Sequence, residues 1–371
     1  MRRLIPAAAL AALAACSSPG GPKPAELTRL EGAKEVRVLW SARVGSAGQF
    51  AFAPALVGDA VYAAARDGTV TRLDAASGAE RWSEPTERKL SGGVGGGTRT
   101  VAVASEEGEV IALEADSGKL RWRARVSSEV LAPPAVAAGL VVVRSLDNRI
   151  FAFDEQDGKR RWVYQRAAAS LIVRSPAGVA ILGDTLFAGF SGGKLVALAL
   201  GSGNVRWEAT VALPKGATEL ERVTDVVGEP AVQGREVCAA AYQGRVACYE
   251  AESGRQIWGR ELSSVTGVSL DARYAFVSDD RGGVHALDRS NGRSVWKQDR
   301  LAYRQPSMPS GGAEAVAVGD LEGYVHFLAR DSGAFVARYA TGGGPVRVPP
   351  ARLASGVLVQ TRDGDLYALG L

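Results

Sequence analysis

The sequence predicts an all-β chain closed into an eight-bladed β-propeller of four-stranded blades. Three observations carry that expectation. The seven tryptophans, Trp40, Trp82, Trp122, Trp162, Trp207, Trp258 and Trp296, recur at intervals of about forty residues. Six of them end one short phrase, seen at Ser77-Gly78 before Trp82, Ser117-Gly118 before Trp122 and Asp157-Gly158 before Trp162, and repeated through Gly203, Gly254 and Gly292. No segment keeps an apolar period of 3.6 residues, so helices are not expected. A fixed Gly–Trp phrase at such a period marks a tandem array of small sheets, each unable to bury its faces alone.

Within a unit the order of elements is constant. A leading strand is expected near Pro54, Pro134, Pro176, Pro230 and Pro350. An apolar run follows, such as Ala60 to Ala64 or Gly139 to Val143. A turn of the type Arg66-Asp67-Gly68 then leads into an alternating run, as from Gly108 through Val110 to Leu113 or from Gly193 through Leu195 to Leu198. Two β-rich runs around such a turn read as a hairpin. The Ser-Gly or Asp-Gly turn finally opens the tryptophan strand. The turn glycine counts eight units; in the third, Asn148 stands in its place. The seventh unit has Ala337 where a tryptophan is expected. The eighth stops at Leu371, before its last strand, and Val36 to Trp40 at the other end of the domain can supply it. Closure of the ring by that strand would leave no unpaired edge between first and last blades. Each indole is expected between adjacent blades, where burying roughly 150–250 Å² contributes about 4–6 kcal/mol gross.

The domain plan places a signal peptide at 1–15, a lipidated cysteine and flexible tether at 16–35, and the propeller at 36–371. Arg2 and Arg3 precede an apolar run from Leu4 to Ala15 that is too short to cross a membrane. Leu13-Ala14-Ala15-Cys16 resembles the lipobox of bacterial lipoproteins. The resemblance implies cleavage before Cys16 and acylation of that residue, and more than one acyl chain anchors stably. Ser17 rather than Asp follows, which in lipoproteins implies the outer membrane, facing the periplasm. Pro19, Pro22 and Pro24 with Gly20 and Gly21 make the next stretch read as tether.

Composition excludes several function classes. The chain carries 44 Lys and Arg against 40 Asp and Glu, a net charge of +4, with both signs interleaved. No basic run with interleaved aromatics is present, so no nucleic acid is expected. The two histidines, His285 and His326, occupy the same slot of their repeats, which argues a structural place rather than a triad or metal site. The glycines at 92, 93 and 95–97 do not sit between strand and helix, so they do not read as a phosphate cradle; a flexible connection between the first two blades is expected there. Cys238 and Cys248 lie on the two arms of one hairpin and are read equally well as a disulfide or as two small buried thiols. No cofactor is expected.

The phrase running from Ala112 through Gly118 to Trp122, repeated from Ala286 through Gly292 to Trp296, resembles the pyrroloquinoline-quinone-type propeller repeat. Two families share it. The quinoprotein dehydrogenases carry their cofactor on the propeller axis, often with a disulfide between adjacent cysteines; this chain has no adjacent cysteine pair. The BamB family of outer-membrane β-barrel assembly lipoproteins is the closer resemblance. It rests on the lipobox, the eight units, and the stretch from Gly319 to Ala337 without its tryptophan. It also rests on Ala169 to Arg174 and Glu219 to Asp225. These last two stretches fall in the longest intervals between tryptophans. Extra residues in a propeller go into loops on one face, where recognition sits, and Thr218 with Glu221 fits a capping box that would start a short helical turn. The resemblance implies a non-catalytic scaffold that binds BamA within the β-barrel assembly complex, with unfolded outer-membrane proteins as a further candidate ligand. It implies contacts by Leu171, Val173, Arg174 and Asp225. The family's second acidic residue, two positions after Asp225, is Val227 here. The competing readings are a quinone-dependent periplasmic dehydrogenase and a ligand-binding propeller.

Overall fold

The computed structural model describes residues 22–167 and 171–371. The expected signal peptide at 1–15 and Cys16 lie outside the described residues. Within them, 32 strands form eight sheets of four strands each. Taken in chain order, the blades span 55–85, 90–125, 135–165, 179–210, 226–261, 268–298 and 310–340, and the eighth combines 351–370 with Arg37–Arg43. Each blade is a meander from an inner strand to an outer one. The two middle strands are buried on both faces because sheets stack on either side. Thr100–Ser105 is buried throughout, as is Glu109–Glu114 apart from its ends. Such strands read as continuous apolar runs, whereas the outer strands alternate.

The N-terminal strand closes the ring. Arg37–Arg43 pairs antiparallel with Asp365–Gly370, setting Trp40 opposite Ala368 and Ala42 opposite Leu366. The pairing shifts register between Val38 and Trp40. A shift next to the tryptophan also occurs where Trp122 faces Ala112 and where Trp296 faces Ala286. A strand from the opposite end of the domain thus reproduces the outer strand of a continuous blade.

All seven indoles make one contact. Each donates its Nε1–H to the carbonyl that opens the third turn of the next blade, Trp40 to Ala75 at 3.0 Å, Trp162 to Leu200 at 2.8 Å and Trp296 to Arg330 at 2.8 Å. The ring lies on the glycine of that same turn. A Cβ on Gly78 would stand 2.5 Å from Trp40, and one on Gly158 would stand 2.6 Å from Trp122. These glycines have φ of 71° and 72°, so both backbone and space select glycine. Ala337 breaks the pattern for a reason visible in the ring. The blade after the seventh is the eighth, whose third and fourth strands belong to opposite ends of the domain. It has no third turn, hence no glycine seat and no opening carbonyl. Ala337 is fully buried, and Val36, Tyr339 and Tyr367 pack around its cluster instead.

Two expectations need correction and one open question closes. The glycines of 92–96 are no flexible connection: Leu90–Gly96 is the inner strand of the second blade. Its neighbour presses on it so closely that a Cβ on Gly95 would lie 1.7 Å from the Pro134 carbonyl oxygen. The tether was expected to extend to residue 35, yet Ala25 to Lys34 lies against the sixth and seventh blades, with backbone bonds from Ala25 N to Ala302 O at 2.9 Å and from Lys34 N to Val336 O at 2.8 Å. Cys238 and Cys248 sit directly opposite across their hairpin and are joined in a disulfide, with Cα atoms 4.0 Å apart. Asn148 takes the turn-glycine's place with φ of 61°, a conformation asparagine tolerates.

Both histidines hold turns. His285 Nε2 meets Asp279 Oδ2 at 2.8 Å, and His326 Nε2 meets Asp320 Oδ2 at 2.9 Å. Each aspartate also accepts backbone N–H groups of its own turn, Gly283 at 2.7 Å and Tyr324 at 2.9 Å. Burial pushes His326 below its ordinary value, with Asp320 opposing. Burial works against the Asp320 charge, but hydrogen bonds from His326, the Tyr324 N–H and Arg304 outweigh it and hold the carboxyl low.

Two expected outcomes follow. Trp40→Ala should cost about 3–5 kcal/mol, the range for large core deletions, as an internal indole would, whereas Ala337→Trp should destabilise because its ring has no seat; denaturant melts measure both, and a stabilised Ala337→Trp protein would refute the account of the exception. For pH, both depressed groups make the unfolded chain bind protons first on acidification. Stability should therefore hold above the unfolded histidine value of 6.5 and fall below it. Calorimetry should find that fall shallower in His326→Gln; an unchanged slope would assign it elsewhere.

Candidate docking surface

Antiparallel meanders sort the connections onto two faces. The second turn of each blade and the link from each outer strand to the next inner strand share one face, called here the loop face; the first and third turns share the other. Both long connections, 166–178 and 211–225, are links between blades and lie side by side on the loop face.

The first connection is pinned from below. Asp225 Oδ2 accepts the Val173 N–H at 2.6 Å, and Asp225 bridges to Ser191 in the adjacent turn. Its carbonyl takes the Tyr242 N–H at 2.9 Å. Asp225 is only 6% exposed. Burial raises its carboxyl, with the Val173 and Gly192 N–H groups and Arg144 opposing. Arg144 is itself pushed down to about 10 by burial, opposed by Asp225. Its guanidinium lies 4.9 Å from the Phe190 ring centroid and donates to Ala177 O at 3.3 Å. An arginine on an aromatic floor and a buried aspartate therefore fix the backbone from 173 to 177. Asp225, expected as a direct contact, is buried in this structure and bound to the Val173 N–H.

What the connection presents is apolar. Leu171 and Ile172 are 45% and 36% exposed, Val173 is half-buried, and residues 168–170 lie outside the described set. Arg174 leans the other way. It donates to Glu129 Oε2 at 2.6 Å and stands 5.9 Å from the Phe50 centroid, with half its side chain exposed. Val227 is buried at 1% in the inner strand, so its side chain offers the surface nothing.

The second connection contributes two residues that the sequence reading passed over. Leu213 and Leu220 are 65% and 71% exposed, the largest exposures among the chain's described large apolar side chains. The expected capping box forms, with Glu221 N donating to Thr218 Oγ1 at 3.2 Å and Thr218 N to Glu221 Oε2 at 3.1 Å, but it closes a turn rather than a helix. Those N–H groups, Thr218 first, hold the Glu221 carboxyl below its ordinary value. Leu171 and the 214–225 segment line one cleft. The missed signal was a leucine inside a polar turn, Glu219-Leu220-Glu221, where no core demands it.

The Asp225 carboxylate in this arrangement is taken up by backbone N–H groups. Among the described residues, no group of three or more His, Cys, Asp or Glu is placed to hold a metal ion. No helix among them is long and apolar enough to cross a membrane. Removing the pin should loosen the connection without opening the ring. Asp225→Ala strands a buried N–H, at about 1–3 kcal/mol, and should speed tryptic cleavage after Arg174; cleavage at the wild-type rate would mean that the carboxylate does not position the loop.

Comparison with known proteins fits this geometry. The family profile described as outer membrane protein assembly factor BamB matches residues 25–87 and 66–298. The protein of that name from Bordetella pertussis is 45% identical over 345 residues, covering 93% of this chain and 89% of its own. That from Pseudomonas aeruginosa is 47% identical over 348 residues, covering 93% and 92%. Among solved structures, BamB from Moraxella catarrhalis superposes with a TM-score of 0.83 at 27% identity, covering 91% of this chain and 100% of that one. The quinohemoprotein alcohol dehydrogenase of Comamonas testosteroni reaches 0.69 at 13% identity, a likeness of fold alone. With the ring, the closing strand and relatives matched over nearly their full lengths, the chain belongs to the BamB family of outer membrane protein assembly factors.

Proposed function

We propose that this protein is a non-catalytic scaffold of outer-membrane β-barrel assembly, lipid-anchored through Cys16 and facing the periplasm, that binds BamA through its loop face. The observation that carries the reading is the pair of neighbouring connections on the ring, one exposing Leu171 and Ile172 and the other exposing Leu213 and Leu220. Exposed apolar side chains gathered on pinned loops are what a protein partner buries. Arg174 at the rim adds a cation whose intramolecular partner, Glu129, is exchangeable for an acidic group on the partner. Val173 and Asp225 serve by holding the loop. The reading excludes quinone chemistry on the axis, and incubation with pyrroloquinoline quinone and calcium should leave the absorption spectrum that of free quinone.

Leu171→Asp and Leu220→Asp should each weaken co-purification of BamA. Truncating an anchor of this kind typically costs 2 kcal/mol or more, roughly a thirtyfold loss of affinity, with the melting curve unchanged. Arg174→Glu should weaken it further than Arg174→Ala through like-charge repulsion. Wild-type recovery of BamA by these variants, with loss from changes at the third turns on the opposite face, would overturn the assignment. Separately, Cys16→Ser should abolish palmitate labelling and membrane fractionation while the ring stays folded; a labelled variant would sink the anchor.

A further inference from the structure

We infer that Ala25 to Lys34 is a built strap that carries the N-terminal segment from the closing strand up to the loop face, so that a lipid surface is met on the same face as the docking connections. The path is set by contacts along its length. At its lower end Lys34 N donates to Val336 O at 2.8 Å, near the start of the seventh blade's outer strand, and Lys34 Nζ pairs with Glu314 at 3.2 Å. Midway, the Thr28 carbonyl accepts from Arg338 at 3.0 Å, the Thr28 hydroxyl accepts from Arg300, and Leu27 packs with the core cluster of Phe276, Leu301 and Trp296. At the upper end Ala25 N donates to Ala302 O at 2.9 Å, in the link between blades six and seven. Pro22 then stands beside Asp279 to Gly282, Tyr303 and Arg347, all on the loop face.

The strap is part of the fold rather than a tail lying on it. Arg304 is only 2% exposed, so its donors need acceptors from the protein. Nε bonds Asp320 at 2.7 Å, one terminal nitrogen bonds Glu322 at 2.5 Å, and the other bonds the Ala25 carbonyl at 2.9 Å. Without the strap a buried guanidinium loses an acceptor. The strap also covers the outer edge of the seventh blade, the blade whose outer strand lacks an indole.

The consequence is geometric and rests on Cys16 being the anchor. Five residues lie between Cys16 and Pro22, so the two are at most about 20 Å apart along extended chain. The opposite face lies farther by the height of a six-residue strand, roughly 20 Å. A lipid surface holding Cys16 is therefore reached from the loop face at the seam of blades six and seven, two to three blades round the ring from the 166–178 and 211–225 connections.

Two measurements on the full chain test this. In a Cys16→Ser background, the pairs Ala25→Cys with Ala302→Cys and Lys34→Cys with Val336→Cys should both lose their free thiols on mild oxidation, while Ala25→Cys with Ser332→Cys on the opposite face should keep them. Free thiols in both designed pairs would overturn the strap. In the acylated protein on phosphatidylethanolamine–phosphatidylglycerol vesicles, a donor dye at Arg281→Cys should transfer energy to a headgroup acceptor more strongly than one at Asn291→Cys on the opposite face. Equal or reversed transfer overturns the orientation. Failure to float with the vesicles overturns the anchor and with it the orientation, while the thiol result still decides the strap.

Discussion

The ring is held by one repeated contact, an indole laid on the glycine of the next blade's third turn with its N–H bound to the carbonyl opening that turn. The contact joins each outer strand to its neighbour at the periphery, where the blades diverge and packing would otherwise be thinnest. It also fixes what the sequence can tolerate nearby. The turn residue must be glycine because its φ is positive and the ring occupies the Cβ position, as at Gly78 beneath Trp40. The residue facing the indole across the sheet is mostly small, Ala112 for Trp122 and Ala368 for Trp40. The single omission, at Ala337, falls where the chain's two ends meet and no turn exists.

Because the same contact recurs, the repeat was legible from sequence alone: period, turn glycine and tryptophan all arise within one unit and its neighbour. Strand closure was legible for the same reason, since a lone Trp40 without a preceding turn needed an orphan blade to complete. What was not legible depended on distant partners. The glycines of 92–96 were misread because the demand for them comes from the Pro134 backbone of another blade, invisible in local composition. The strap was misread as tether because proline and glycine describe local stiffness, whereas Lys34 finds Glu314 across 280 residues of chain. The cysteine pair stayed open because a hairpin spacing cannot set register; the observed register puts Cys238 directly opposite Cys248.

The two long connections divide along the same line. Their place on the loop face was legible, since extra length between tryptophans has nowhere to go but a loop. Their division of labour was not. Asp225 looked like a contact because an acidic residue at the end of a long loop is ordinarily solvated. It is instead 6% exposed and bound to the Val173 N–H, so its carboxylate is spent on the backbone it fixes. Leu213 and Leu220 went unnoticed because single exposed leucines are common. The buried Asp225 beneath the first connection holds Val173 in place, an ordering that would otherwise cost entropy.

Closure and strap together impose an order on the molecule. The outer strand of the eighth blade is the first strand among the described residues, and its partner, Asp365–Gly370, is the last. Neither edge is satisfied until the whole array between them exists, so the longest loop closure in the fold is also the one that seals it. The strap lies immediately upstream of that strand and binds blades six and seven, which form late in the chain. Its docking brings the N-terminal segment alongside the region where Arg37–Arg43 must insert. In the closed ring, contacts such as Arg304 with the Ala25 carbonyl hold residues 25–34 within one blade of the closing strand's site, so the segment leading into that strand is fixed beside it.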